Sequence, residues 1–195
     1  ADSAIVSYMI AKYVIEERPD ITIYPITAVA STKPFQQIFS DKVLRKVEEM
    51  TGIKFATHQF RTIDSSTVEN YISQQADLVE DVYQKYALQY HFSGLTAHPS
   101  AEDAPELFDG KHRVPGSYGE NDMDRTKATV KKSNTFRPLI NVDKKGVAEH
   151  YTRLGVLEDL FPLTRSCEDV TFDFTEHCGD CWFCRERKWG FGRLI

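Results

Sequence analysis

The sequence predicts an α/β protein with a mainly parallel sheet, helices on both faces of that sheet and a small C-terminal metal-binding lobe. Segments with helix and strand patterns alternate along residues 1–163, and such alternation is typical of βαβ units. All four cysteines lie between residues 167 and 184, which indicates a local metal site. Of the 195 residues, 41% are hydrophobic and 27% are charged, so we expect one globular domain in which residues 164–195 form the lobe.

The first two predicted elements are a helix and a strand. Residues 4–17 are densely apolar, and the helix is expected to end before Pro19 because proline cannot continue it. Residues 21–29 alternate β-branched residues with Thr and Tyr, which predicts a strand. Pro25 has no N–H, so it must occupy a strand position where no ladder hydrogen bond is required.

A second helix, a second strand and a third helix are predicted next. Ser40 precedes a helical pattern that stops at Gly52, which stands where a left-handed C-cap is expected. The apolar face of this helix consists of Val43, Leu44, Val47 and Met50. Residues 53–60 predict a strand, and Ser66 and Glu69 have the spacing of a capping box ahead of a long amphipathic helix.

The third predicted strand and the last predicted helix flank a long polar connection. Residues 90–95 predict a short strand, and Asp143 is expected to cap a helix that stops at Gly155. Between them, residues 98–133 are polar and charged and contain proline and glycine. A connection of this length is typical either of a substrate-facing loop or of a mobile surface insertion.

The order of the elements also predicts a strand before residue 1. Ligands bind at the carboxyl ends of the strands in open parallel sheets, so the turn before the first helix is the expected nucleotide site. The sequence begins with Ala1-Asp2-Ser3 and has no initial Met, and we therefore expect that preceding residues are missing or were removed.

Charge and hydropathy exclude two classes of protein. A net charge of -5 argues against a protein that coats nucleic acid, because neutralising phosphates requires a surplus of Lys and Arg. The longest apolar run, residues 4–15, is interrupted by Ser7 and Lys12 and is too short to span a bilayer. It also lacks the pattern of a signal peptide. We therefore expect a cytoplasmic protein with no membrane partner.

The cysteines have the spacing Cys167-x10-Cys178-x2-Cys181-x2-Cys184. Two-residue spacers let the backbone fold around one ion, and Gly179 permits the tight turn that this requires. Four thiolates match a closed tetrahedral zinc site, which is structural because it has no open position for chemistry. An iron–sulfur cluster is the main alternative, while disulfides or free thiols are disfavoured in a cytoplasmic chain.

Three segments carry a family resemblance. The first is Thr164-Arg165-Ser166-Cys167 with His177-Cys178-Gly179-Asp180-Cys181-Trp182-Phe183-Cys184-Arg185-Glu186-Arg187 and Gly190-Phe191. The second is Arg137-Pro138-Leu139-Ile140-Asn141-Val142-Asp143-Lys144, and the third is Asp2-Ser3 at the start of the first helix. The three segments resemble parts of the 7-cyano-7-deazaguanine synthase family of PP-loop ATP pyrophosphatases, which acts in queuosine biosynthesis. The first resembles the zinc motif of that family, and the second resembles its proline-leucine segment with the lysine that follows. The third resembles the end of its Ser-Gly-Gly-x-Asp-Ser loop.

This resemblance implies a Rossmann-like fold of the adenine nucleotide alpha hydrolase type, in which the loop and the first helix hold the ATP phosphates. It implies an ATP-dependent ligase that converts 7-carboxy-7-deazaguanine and ammonia to 7-cyano-7-deazaguanine through an adenylated intermediate. ATP with magnesium is then a substrate, zinc is structural and the protein is a homodimer. No stable complex with nucleic acid is expected.

The resemblance also assigns roles to single residues. Asp2 would lie at the pyrophosphate and magnesium site, Ser3 would donate to phosphate, and Lys144 would offset negative charge near the reacting phosphate. All three are thus candidate ATP-binding residues, and Asp2 and Lys144 are candidate catalytic residues. Taken alone, Asp2 and Ser3 are typical of an N-cap pair, and Lys144 of a solvated helix start. Arg187 matches a family position or forms a salt bridge in the zinc lobe.

The sequence departs from the family pattern at its beginning, since the Ser-Gly-Gly part of the loop is absent, and the chain as given is expected to be a fragment or inactive. Gly146 also stands where an acidic residue is common in the family. Two other functions stay open: a related PP-loop enzyme that modifies tRNA by thiolation, and a non-catalytic module whose zinc lobe contacts nucleic acid through arginines and aromatic rings.

Overall fold

The computed structural model describes residues 1–108, 135–167 and 176–195, and it shows a mixed α/β protein. Within these residues the helices are α1 (Asp2–Glu17), α2 (Phe35–Thr51), α3 (Val68–Tyr86), α4 (Lys144–Arg153), α5 (Leu157–Leu160) and α6 (Trp182–Phe191). The strands are β1 (Ile26–Ala30), β2 (Gln59–Ile63), β3 (His91–Phe92) and β4 (Thr135–Phe136). The chain forms two compact units, one of residues 1–6 with 92–195 and the other of residues 7–91.

The unit of residues 7–91 is built on a parallel pair of strands. β1 and β2 run in register from Ile26 opposite Gln59 to Ala30 opposite Ile63. α2 and α3 pack against these strands and bury an apolar core. Buried members of this core include Val29, Ala30, Phe35, Val43, Val47, Ile63, Leu78 and Val82. This strand–helix–strand arrangement confirms the predicted α/β class, and each sheet in the described residues has two strands.

Both strands of this unit begin later than the sequence predicts. β1 starts at Ile26 rather than residue 21, and β2 starts at Gln59 rather than residue 53. The end of α2 explains the second difference, because its side chains satisfy backbone groups of the following segment: Thr51 Oγ1 accepts from the N–H of Ile53 at 3.3 Å. Glu48 likewise accepts from the N–H of Phe55 at 3.0 Å. Backbone groups bound in this way are not available to a sheet.

The predicted start of α2 is also wrong, whereas its predicted end is confirmed. The helix begins at Phe35, so Ser40 lies inside it, where its hydroxyl donates to the carbonyl of Gln37 at 2.8 Å. At the other end Gly52 has a φ of 77° and its N–H donates to the carbonyl of Glu48. This is the left-handed C-cap that glycine favours.

The long helix α3 follows the predicted pattern but has a different cap. Thr67 Oγ1 accepts from the N–H of Asn70 at 3.1 Å. Ser66, the predicted cap, instead bonds to Asp64 through its backbone N–H at 2.8 Å and its hydroxyl at 2.9 Å. The two neighbouring hydroxyl residues are equivalent by residue type, so the sequence alone places the start of the helix within one residue.

In the other unit, α4, α5 and α6 pack together around an aromatic and aliphatic core. Buried members of this core are Leu139, Ile140, Val147, Tyr151, Val156, Leu160 and Phe161. The caps of α4 are as predicted: Asp143 accepts from the N–H of Gly146 at 2.9 Å, and Gly155 follows the helix with a φ of 68°. The two short helices α5 and α6 were not predicted.

The remaining predictions for this unit concern the long connection. The strand predicted over residues 90–95 is β3, which pairs with β4, and the N–H of Ser93 donates to the carbonyl of Phe136 at 2.9 Å. The described beginning of the connection contains a 3-10 turn at Pro105–Leu107, with Ala104 and Leu107 buried against Trp182. The rest of it, residues 109–133, lies outside the described residues, as does part of the spacer between the first two cysteines.

None of the described helices combines the length and the apolar character needed to cross a membrane.

Candidate functional site

The four cysteines converge on one point. The sulfur atoms of Cys167, Cys178, Cys181 and Cys184 all lie within 4.8 Å of one another, and none of the four cysteines forms a disulfide. Tetrahedral zinc with bonds of about 2.3 Å to sulfur places its ligands about 3.8 Å apart. Cys178 Sγ lies 3.9 Å from Cys184 Sγ, so this pair already has that separation. The sequence prediction of a metal site formed by these residues is therefore supported by their geometry.

Local backbone geometry brings the sulfurs together. Gly179 has a φ of 78°, which confirms the predicted turn between Cys178 and Cys181. Cys181 then stands at the N-cap position of α6, so Cys184 projects from the first turn of that helix. The N–H of Cys181 points at Cys178 Sγ over 3.3 Å, and the N–H of Cys178 points at Cys167 Sγ over 3.4 Å. Such N–H donors stabilise thiolates in metal sites.

Burial and nearby N–H groups shift the pKa values of the cysteine cluster in opposite directions. Burial raises the pKa of Cys178, but the backbone N–H groups of Cys181 and Asp180 outweigh it and lower the pKa below its ordinary value. At Cys184 burial prevails and raises the pKa of the thiol. Burial, together with Arg187, lowers the pKa of the neighbouring His177 to about 4, so this imidazole is neutral near pH 7. Because a bound dication replaces thiol protons, four converging thiols fit zinc well.

Arg187 organises the backbone around the cysteine cluster. It is fully buried, and its guanidinium donates to the carbonyls of Leu194 at 2.6 Å and Phe161 at 3.0 Å. It also donates to Thr164 Oγ1 at 2.8 Å and lies 3.8 Å from the centroid of the Phe161 ring. All these acceptors are neutral, so the salt bridge considered from the sequence is replaced by hydrogen bonds and a cation–π contact.

A second cluster, the buried ion-pair cluster, consists of Asp2, Thr96, His98, Lys144 and Glu186. Asp2 and Lys144 were the two candidate catalytic residues, and the Lys144 ammonium donates to Asp2 Oδ2 although 142 residues separate them. Lys144 Nζ also donates to Thr96 Oγ1 at 3.2 Å and lies 3.6 Å from Glu186 Oε2. His98 Nδ1 lies 3.2 Å from Glu186 Oε1.

This cluster is desolvated, and its charges depend on one another. The side chain of Lys144 is 7% exposed, that of Asp2 is 23% exposed and that of Glu186 is 1% exposed. Burial raises the pKa of Asp2, but the adjacent Lys144 ammonium outweighs it and holds that pKa below its ordinary value. Burial likewise lowers the pKa of Lys144, but Asp2 and Glu186 outweigh it and raise that pKa. Both groups are therefore charged near neutral pH.

One oxygen of the cluster lacks a partner. Asp2 Oδ1 is inaccessible to solvent and has no hydrogen-bond partner among the described residues. A buried carboxylate oxygen without a partner is costly, and carboxylate oxygens are the ligands that magnesium prefers in proteins. The oxygen therefore fits a role as an acceptor for a bound cation or donor.

Close backbone contacts position the first turn of α1. Gly94 lies against this turn, since a Cβ at Gly94 would come within 2.5 Å of the backbone nitrogen of Ser3. Tyr151 donates its hydroxyl to the carbonyl of Ala1 at 2.7 Å. Ser3, the candidate phosphate donor, is exposed at this helix start. The contacts thus hold the N-terminus of α1 in place while leaving Ser3 accessible to a ligand.

Three members of the ion-pair cluster, Thr96, His98 and Glu186, are not predicted as site residues by the sequence. Each lies far along the chain from Asp2; Thr96 and His98 belong to no motif, and Glu186 lies within the zinc motif without a role of its own. One feature of the sequence could have identified Glu186. It is an acidic residue between Cys184 and Arg187, which are both buried in the structure.

Comparison of the chain with protein-family models, with curated proteins and with solved structures found no significant match to any of them. The family resemblance drawn from the three motifs therefore stays a prediction.

Proposed function

We propose that this protein is an ATP-dependent ligase of the PP-loop type that makes a 7-deazaguanine nitrile. The observation that carries the proposal is the buried contact between Asp2 and Lys144. The resemblance assigns both residues to one phosphate site, although they belong to two motifs that lie far apart in the chain. Their direct pairing in the structure supports that reading over an exposed N-cap and a solvated lysine.

The surroundings of the pair suit triphosphate binding. α1 begins at Asp2 and has 16 residues, so its first N–H groups and its dipole favour an anion there. Ser3 is exposed at the same point, and Asp2 Oδ1 offers a carboxylate oxygen to the magnesium that accompanies ATP. The proposal includes a Rossmann-like sheet of which β1 and β2 are the parallel pair.

In the proposed reaction a carboxylate oxygen of 7-carboxy-7-deazaguanine attacks the α-phosphorus of ATP, and pyrophosphate leaves. Ammonia then attacks the acyl carbon and AMP leaves with the attacking oxygen, which gives the amide. The amide oxygen attacks a second ATP in the same way. Loss of AMP with two protons then gives the nitrile.

The work of the protein in this scheme is positioning and charge neutralisation. Lys144 is held by Asp2, Thr96 and Glu186, so it is oriented before ligand arrives. A preoriented ammonium in a water-poor site stabilises charge that develops on the leaving pyrophosphate. The metal bound by the four cysteines would supply no chemistry, because a closed thiolate site has no open position; it would fix the fold of the C-terminal lobe.

The test uses the full-length gene product, with whatever residues precede Ala1, incubated with magnesium ATP, the 7-carboxy substrate and an ammonium salt. We expect AMP and pyrophosphate to form only when the carboxylate is present. Lys144→Ala should lower the rate of AMP formation by about 100-fold or more. The matched control is Lys145→Ala, which changes the adjacent, exposed lysine.

Two results would count against the proposal. One is a protein that binds magnesium ATP but forms no AMP with this carboxylate. The other is an equal loss of rate in the Lys144→Ala and Lys145→Ala variants, since only Lys144 lies in the buried cluster.

A further inference from the structure

Glu186 is a buried carboxylate on the helix that carries a cysteine of the metal site. It lies two residues after Cys184 in α6, and its side chain is 1% exposed. Glu186 is not a metal ligand, because the metal cluster consists of the four cysteine thiols. Its oxygens face Lys144 on one side and His98 on the other, at 3.6 Å and 3.2 Å.

Packing alone does not explain an acidic residue at this position. A buried ion pair is often no more stabilising than apolar residues of the same volume, because removing both charges from water is costly. The same helix also carries Trp182 and Cys184, which are both buried. A leucine would fill the same space without the desolvation penalty, so the carboxylate points to a role in holding its partners.

A second contact joins α6 to Lys144. One turn beyond Glu186, a Cβ added at Gly190 would lie 2.4 Å from Lys144 Cβ and 2.7 Å from its carbonyl oxygen. The helix therefore approaches the backbone of Lys144 as closely as glycine allows. Residues 186 and 190 are four apart and lie on one face of α6, so this face contacts both the backbone and the ammonium of Lys144.

We propose that Glu186 is a positioning residue that couples the metal lobe to Lys144. Metal binding by the cysteines fixes the first turn of α6, and Glu186 carries that constraint to the Lys144 ammonium. The importance of this position for catalysis rests on the proposed function, whereas the coupling itself does not. If Asp2 binds magnesium, as the proposed function requires, Glu186 is the carboxylate that still holds Lys144.

The experiment measures the accessibility of Lys144 by reductive methylation with formaldehyde and borohydride, followed by peptide mass spectrometry. Lys145 is the internal reference, because it is adjacent and exposed. In the zinc-loaded protein we expect Lys144 to react at least about tenfold more slowly than Lys145. Removing the metal with a chelator should bring the rate at Lys144 close to that at Lys145.

Variants separate the coupling from general destabilisation. Glu186→Leu should retain one zinc per chain, as measured by elemental analysis, yet increase methylation of Lys144. Glu186→Gln keeps the shape and hydrogen-bonding capacity of the side chain and should restore most of the protection. Glu149→Gln, on the exposed face of α4, is the matched control and should leave the methylation ratio unchanged.

Activity supplies the second readout. Glu186→Leu should lower kcat for AMP formation by about tenfold or more while changing KM for ATP much less, because substrate still binds but Lys144 is misplaced. Equal protection of Lys144 in the parent, the Glu186→Leu variant and the metal-free protein would overturn the proposal. If Glu186→Leu does not fold, unchanged protection of Lys144 in the parent after chelation overturns the proposal equally.

These outcomes are distinct from failure of the proposed function. Loss of Lys144 protection in a protein that never forms AMP would support the coupling and refute the ligase. AMP formation with a Glu186→Leu variant that keeps both full protection and full kcat would support the ligase and refute the coupling.

Discussion

Lys144 keeps its charge in a buried position because two carboxylates and a hydroxyl surround its ammonium. Asp2 and Thr96 accept hydrogen bonds from it, and Glu186 lies 3.6 Å away. The sequence could nominate Asp2 and Lys144, since both stand in recognisable motifs next to helix starts. It could not nominate Thr96 or Glu186, because their roles depend on which segments meet in space.

Replacing Lys144 with a neutral side chain of similar length should strongly destabilise the unit that contains it. Lys144→Met removes the ammonium that the buried carboxylates Asp2 and Glu186 share, and such a change costs about 3 kcal/mol or more. We expect this loss in urea unfolding monitored by tryptophan fluorescence. Arg153→Met removes an exposed ion pair in the same helix and should cost less than about 1 kcal/mol. Equal losses in the two variants would show that the cluster does not stabilise the fold.

Replacing Gly190 with alanine should lower the stability of the protein, which is the opposite of the usual effect of this change within a helix. Alanine normally stabilises a helix interior by roughly 1 kcal/mol relative to glycine. Here the new methyl group would lie 2.4 Å from Lys144 Cβ, so Gly190→Ala should destabilise the protein and increase the exposure of Lys144. Thermal unfolding checks the sign, with the exposed Lys188→Ala in the same helix as a near-neutral control. A rise in Tm for Gly190→Ala would contradict the close contact.

At the scale of elements, the helices with strong periodicity and caps were predictable, and the short elements were not. α1, α3 and α4 lie within one or two residues of their predicted positions. The strands were misplaced because β-branched residues at 21–25 and 53–57 favour a strand by type, while side chains at the end of α2 bind part of that backbone. α6 was not predicted, because its residues, Trp182–Phe191, indicate a zinc motif or a nucleic-acid surface rather than a helix.

Metal removal should unfold the region around α6. The full-length protein should contain one zinc per chain and little iron, and Cys181→Ser should abolish stoichiometric binding because it removes one of four ligands. Chelation should lower Tm, since binding to the folded state alone contributes stability in proportion to metal affinity. Stoichiometric iron with inorganic sulfide would contradict a structural zinc site and favour the iron–sulfur alternative.

At the scale of the whole molecule, the α/β class was predictable and the extent of the sheet was not. Alternating patterns correctly indicated a parallel strand–helix–strand unit, which β1, α2 and β2 form. Local patterns do not determine how many strands join a sheet, because strand pairing depends on distant segments. The division into two compact units has the same origin, since residues 1–6 associate with segments that follow residue 91.

The ion-pair cluster should make the free energy of unfolding decrease at acidic pH. Folding lowers the pKa of Asp2, so its contribution is present above the ordinary value of 3.8 and is lost as the pH falls through the lower folded value. Folding raises the pKa of Lys144, so the contribution of Lys144 is present below 10.5 and is lost only above the folded value. The parent should therefore lose more stability than Asp2→Asn between pH 6 and pH 3.

Tryptophan fluorescence suits this comparison. The chain has two tryptophans, Trp182 and Trp189, and both lie in the unit that holds the cluster. Urea unfolding curves at each pH give the free energies of unfolding for the two proteins. Parallel pH profiles for the parent and Asp2→Asn would contradict the pairing of Asp2 with Lys144.

The most direct test of the proposed ligase follows the oxygen atoms of the substrate. 7-Carboxy-7-deazaguanine labelled with ¹⁸O in its carboxylate is incubated with the full-length protein, magnesium ATP and ammonia, and the AMP is analysed by mass spectrometry. Because each activation transfers one substrate oxygen to the α-phosphorus, we expect ¹⁸O in AMP, a nitrile product and loss of both in Lys144→Ala. Label that stays in the deazaguanine, or appears in inorganic phosphate without AMP, would contradict an adenylating enzyme.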